Sequence, residues 1–99
     1  MKKDKAYRLD SILECLVANK YLSKQQIETK LGETVVYRDL LTIRGYQHNN
    51  ANIVDTKLIE SKRLYKLTPA GVVFIEDVRF SAIFKEESHS KAEKIILLV

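Results

Sequence analysis

Apolar residues follow two rhythms along this chain. From Tyr7 to Lys20, Leu9, Ile12, Leu13, Leu16 and Val17 recur at the i, i+3, i+4, i+7, i+8 spacing of one helical face, which predicts a first helix. Ser23 then opens "SKQQIETKLG", with Gln26 placed three residues on as in a capping box, Ile27 and Leu31 on one face, and Gly32 as a left-handed stop. A short second helix is expected to end at Gly32. In "ETVVYRDLLTIRGY", Val36, Leu40 and Ile43 form one stripe with Arg38 and Arg44 off it, predicting a third helix, although Val35-Val36-Tyr37 also suits a strand. Two short helices joined by a tight turn containing Gly make a helix-turn-helix.

The period then shortens to two. After "QHNNAN", expected to be a loop, "IVDTKLI" and "RLYKLT" flank "ESK" and predict a hairpin with a charged tip. Tyr65 and Leu67 fall on one face of its second strand, Leu64 and Lys66 on the other. That strand runs into Thr68-Pro69-Ala70-Gly71. Pro69 has no N–H for a ladder but suits the first turn of a helix, with Thr68 as its cap. From Pro69 to about Glu86, Val72, Val73, Ile75, Val78, Phe80, Ile83 and Phe84 cover more than one face of a single long helix. The core of one protomer does not easily hide so much apolar surface. "KEESHSKAEK" reads as a linker, ahead of the apolar ending "IILLV". Residues 1–86 are therefore expected to form one domain, and 87–99 a polar linker with a short apolar tail.

At 99 residues the chain is long enough for one core without disulfides or metal. Its 45% apolar and 30% charged content is that of an ordinary globular protein. Cys15, the only cysteine, cannot form an internal disulfide and reads as a reduced thiol in a helix, which points to the cytoplasm. Charged residues interrupt "MKKDKAYRLD" where a signal peptide needs an apolar run, and no window approaches a spanning helix, so membrane association is not expected. The alternative is that "KAEKIILLV" leads into a longer apolar anchor. The net charge is +4, and its distribution is uneven: +3 over residues 1–46, +2 over 47–69 and −1 over 70–99. Positive charge in the first two thirds favours an anionic partner there, nucleic acid first.

No catalytic set is legible. His48 stands among asparagines, His89 in the linker and Cys15 in a core helix, so no Cys–His pair or metal-ligand spacing exists. Glu76-Asp77 and Glu86-Glu87 are adjacent pairs that diverge on a helix, and the three glycines are too far apart for a phosphate loop. Neither enzyme activity nor a cofactor or metal is expected.

The order helix, helix-turn-helix, hairpin, helix, together with Arg63, Tyr65, Leu67, Thr68, Pro69 and Gly71 of "RLYKLTPAG" and with "VVYRDL" upstream, resembles the winged-helix regulators of bacteria and archaea, especially MarR-like and PadR-like proteins. The resemblance implies an α+β fold, mainly α with a small β-hairpin: a winged helix-turn-helix with a long C-terminal helix. It also implies sequence-specific binding of double-stranded DNA by a small transcriptional regulator acting as a homodimer. In that reading Thr34, Tyr37 and Arg38 face the major groove, Lys24, Gln25 and Lys30 lie near the backbone, and Lys57, Lys62 and Arg63 belong to the wing. Arg38 is the residue expected to read a base, since its planar fork matches both acceptors of guanine. Asp39 stands beside this surface, where an acid near phosphates costs affinity, and Leu41 lies on it. Phe74, Phe80, Ile83 and Phe84 are expected at the dimer interface. The alternative function is a winged-helix module for protein assembly, in which Tyr37, Leu41 and the aromatic C-terminal helix bind a protein partner and DNA plays no part.

Overall fold

The structure, a computed structural model, describes residues 3–18 and 20–83. Helices and a small antiparallel sheet make an α+β fold, in the order α1 (Lys3–Cys15), a 3-10 turn (Leu16–Ala18), β1 (Leu22–Ser23), α2 (Lys24–Leu31), α3 (Tyr37–Gly45), β2 (Gln47–His48), β3 (Ala51–Asn52), β4 (Val54–Ile59), β5 (Lys62–Leu67) and α4 (Pro69–Asp77). The predicted stripe of α1 is its buried face: Leu9, Ile12 and Leu13, continued by Leu16, are at most 2% exposed. Each such side chain stabilises the fold by about 1.5–3 kcal/mol relative to exposure. Val17, assigned to the same stripe, is 52% exposed because the chain has tightened into the 3-10 turn, where the helical period no longer holds.

Both ends of α2 follow the sequence. The Ser23 hydroxyl accepts from Gln26 N–H at 3.2 Å, and the Gln26 side chain accepts from Ser23 N–H at 2.8 Å, closing the capping box. Gly32 takes φ 74° and donates its N–H to Glu28 O at 2.8 Å. Helix α3 starts one residue later than its predicted stripe. Val36 is its extended N-cap and 51% exposed, while Val35 is the buried valine, its N–H donated to the Glu28 carboxylate at 2.7 Å. Helical spacing does not govern a residue outside the helix.

The three-stranded sheet runs β1-β5-β4, with Leu22 opposite Tyr65, Tyr65 opposite Thr56 and Leu67 opposite Val54. The predicted hairpin is present, but its loop has two residues rather than three: Lys62 pairs with Ile59, and Glu60 and Ser61 turn with φ 49° and 66°. The expected loop "QHNNAN" is a second, shorter hairpin, in which Gln47 and His48 pair with Asn52 and Ala51 around Asn49-Asn50 at φ 53° and 65°. Asparagine tolerates this left-handed geometry, so polar composition concealed a tight turn.

The junction at residues 67–71 is fixed by close backbone approach. Thr68 caps α4, its hydroxyl accepting from Gly71 N–H at 3.0 Å and donating to Asn52 O at 2.6 Å. A Cβ on Gly71 would lie 2.1 Å from Ile53 O, so only glycine fits there.

The single helix expected from Pro69 to Glu86 does not form. Helix α4 stops at Asp77, Val78 and Arg79 both donate to Phe74 O, Arg79 takes φ 66°, and residues 80–83 are helical again. The cause lies in α1. Asp10, 5% exposed, accepts from the N–H groups of Phe80 at 2.7 Å and Ser81 at 3.1 Å, as an N-cap supplied from elsewhere in the chain. Arg79 pairs with Glu14 at 2.5 Å beside it. The break turns Phe80 inward, where it meets Phe74 at 4.8 Å and Tyr46 at 4.9 Å between ring centres, both edge to face. Among the described residues no helix is long and apolar enough to cross a membrane. Residues 84–99, with Phe84, the linker and the apolar tail, lie outside the described residues.

Candidate nucleic-acid interface

Helix α3 has two chemically distinct sides. Its inner side buries Leu40 and Ile43, and its outer side leaves Tyr37 55% and Leu41 46% exposed, with Arg38 exposed beside them. Asp39, the one acidic residue of α3, is turned inward and 2% exposed. Its Oδ2 accepts from Arg8 Nε at 2.9 Å, and the resulting hydrogen bond holds the Arg8 proton more tightly than usual. The acid expected beside the reading surface is therefore satisfied by α1 and absent from the outer side. Thr34, exposed in the turn before α3, completes that side toward its N-terminus.

Four of the residues expected to contact DNA come together. Lys24 and Gln25, at the start of α2, line one shallow cleft with Lys62 and Arg63, at the start of β5, and with Ser23. The link is strand β1: because Ser23 pairs with Leu64, the N-terminus of α2 is held against the hairpin. Lys24 makes only a long contact with Glu28, 3.9 Å, which leaves its charge available. Arg63 is steadied by donating from Nη1 to Thr56 Oγ1 at 3.2 Å. Alternation puts Thr56, Arg63 and Tyr65 on the inner face of the sheet. There the Tyr65 hydroxyl is pushed up by burial and by neighbouring Tyr37, and lowered less by Arg63 and Arg44. Tyr37 and Arg44 of α3 and Arg63 of the hairpin thus all lie near enough to Tyr65 to act on it.

Two predicted residues stand elsewhere. Lys30, at the far end of α2, donates to Cys15 O at 3.5 Å and so faces the end of α1. Lys57 lies on the outer face of the sheet, its Nζ 4.0 Å from the centre of the Tyr21 ring. Tyr21, Lys66 and Arg8 were not singled out from the sequence. Tyr21 precedes a two-residue strand too short to show alternation, and Lys66 reads as a routine solvent-facing position. The Arg8–Asp39 pair spans 31 residues with no local signal.

Two of the four residues expected at a dimer interface are buried within the protomer. Phe74 and Phe80 are 0% exposed in the core of the protomer, consumed by the aromatic cluster with Tyr46, and offer nothing to a second chain. Ile83 packs part-buried against the same core, and Phe84 lies outside the described residues. Among the described residues no group of three or more His, Cys, Asp and Glu side chains could hold a metal ion. Burial pushes the Cys15 thiol up, favouring the unreactive protonated form. Comparisons of this chain with protein-family models, with curated proteins and with solved structures find no match.

Proposed function

We propose that this chain is a winged helix-turn-helix protein that binds double-stranded DNA, as a small transcriptional regulator would. Helix α3 enters the major groove, Arg38 reads a base edge, and the cleft of Lys24, Gln25, Lys62 and Arg63 takes backbone phosphate. The observation that carries the reading is that Thr34, just before α3, and Tyr37 and Arg38 on it are exposed while the only acid of α3 is folded away onto Arg8. A helix whose own acid is buried, together with a cleft lined by three cations, suits a polyanion. Phosphate contacts fix register and carry most of the affinity, whereas a bidentate Arg–guanine pair adds discrimination.

The experiment is a fluorescence-anisotropy titration of the full chain against duplex DNA at several salt concentrations. Each neutralised phosphate contributes about −0.9 to the log–log slope, so three contacts per protomer give roughly −3. Lys62→Ala with Arg63→Ala is expected to weaken binding to all sequences and flatten that slope, while Arg38→Ala costs about 1–3 kcal/mol mainly at a preferred site. Absence of binding at low salt contradicts the reading.

A second reading has one observation in its favour. Val36, Tyr37 and Leu41 leave an apolar strip beside Arg38, and aromatic and apolar side chains of this kind anchor protein interfaces. In that reading α3 docks on a protein partner, and Leu41→Asp abolishes that complex.

A further inference from the structure

The outer face of the long hairpin holds an arrangement that the α3 surface does not use. The ring of Tyr21 has Lys57 Nζ 4.0 Å from its centre and Lys66 Nζ 5.4 Å from it, and its hydroxyl donates to Asp55 Oδ2 at 2.6 Å. Asp55 and Lys66 are directly opposed across β4 and β5, where an ion pair between them is the obvious outcome. None forms: among the described residues neither Lys57 nor Lys66 makes a salt bridge. Both oxygens of Asp55 are engaged instead, Oδ2 by the tyrosine and Oδ1 by Thr56 N–H at 3.0 Å. Two ammonium groups are thus gathered at one ring while the facing Asp55 carboxylate forms no ion pair with either among the described residues. A ring quadrupole attracts a cation without cancelling its charge, so the pair still favours an anion.

We propose that Tyr21 is a positioning residue that builds a second phosphate contact on the outer face of the hairpin, by sequestering Asp55 and holding Lys57 and Lys66 for the sugar–phosphate backbone of duplex DNA. This rests on the DNA-binding reading and deepens it. The hairpin then meets phosphate on both faces: Arg63 on the inner side and the Lys57–Lys66 pair on the outer. Tyr21 touches no DNA; it acts through the lysines and through Asp55. Without its hydroxyl, Asp55 is released to pair with Lys66 or Lys57 and competes with phosphate for them.

The test is duplex titration of the full chain over a range of salt, with Tyr21→Phe, Asp55→Asn and their combination. Tyr21→Phe is expected to lower affinity about 3- to 10-fold at low salt and to make the slope shallower by about 0.9, one phosphate contact. Asp55→Asn in the Tyr21→Phe background restores both, which a merely structural role for the hydroxyl would not. Lys66→Gln, with Tyr21 intact, guards against loss of fold and is expected to remove the same increment of slope. Wild-type binding with Tyr21→Phe within twofold of it, or no recovery on adding Asp55→Asn, or an unchanged slope in Lys66→Gln, overturns the role of Tyr21 and leaves the DNA-binding reading standing. No binding by the wild type overturns both.

Discussion

The aromatic side chains near the middle and end of this fold meet opposite surroundings from those on its α3 and hairpin side. Tyr46, Phe74 and Phe80 pack edge to face or tilted at 4.8–5.2 Å, with both phenylalanines fully buried. Tyr37 stands in solvent at 55% exposure, and Tyr21 spends its ring on two lysines and its hydroxyl on a carboxylate. The first group fills the core, while the second stands among charged side chains at the surface. Hydrophobic content alone does not separate them. What separates them is whether a backbone break brings the ring inward, as Asp10 does for Phe80, or a helix start leaves it outside, as at Tyr37.

The largest expected effect breaks the first group. Phe80→Ala removes a fully buried ring and is expected to cost about 3–5 kcal/mol, read from a denaturant midpoint, whereas Tyr37→Ala changes stability by about 0.5 kcal/mol or less. Equal losses would abolish the distinction between the groups. Asp10→Ala comes next: it strands the N–H of buried Phe80 and removes bonds to a charged acceptor, for an expected loss of about 1.5–3 kcal/mol. Should that variant keep wild-type stability, the break at Val78–Arg79 has another cause.

A smaller effect sharpens the second group through pH. The hydrogen bond to Asp55 raises Tyr21, and burial raises Tyr65. The folded chain therefore keeps tyrosine protons that the unfolded chain releases near pH 10. Unfolded molecules bind fewer protons there, so stability is full below that pH and falls as pH rises through the raised folded values. Urea melts between pH 8 and 11 measure it, with a gentler decline expected for Tyr21→Phe. The smallest effect lies at the hairpin tip, where Ser61→Gly relieves a left-handed φ of 66° and is expected to add about 0.5–1 kcal/mol.

Much of this fold was legible because its signals are local. The capping box at Ser23, the stop at Gly32, the stripes of Leu9 to Leu16 and of Leu40 with Ile43, and the Thr68-Pro69 helix start each depend on residues a few positions apart. The errors are long-range or too short to carry a period. Two-residue strands such as β1 and β2 show no alternation, and the hydrogen bonds of Asp10 to Phe80 and Ser81 span 70 and 71 residues. Apolar density over residues 69–86 predicts one helix because the partner that breaks it, Asp10, is distant in sequence. Of the candidate site, Lys24, Gln25, Lys62 and Arg63 line one cleft, since helix start and strand start are both locally specified. Lys30 and Lys57 do not join them, because which way a lysine turns is decided by Cys15 O and the Tyr21 ring.

The central claim is that the outward side of α3 and the adjoining cleft form a DNA-binding surface. Amide chemical shifts of the full chain, followed while duplex DNA is added at low salt, test it most directly. The account predicts shifts clustered at Thr34, Tyr37, Arg38, Lys24, Gln25, Lys62 and Arg63, all reversed by added salt. The interior around Phe74 is expected to stay still. Unchanged amides at α3 and the cleft, or shifts confined to the exposed Val72 and Val73 of α4, would contradict it.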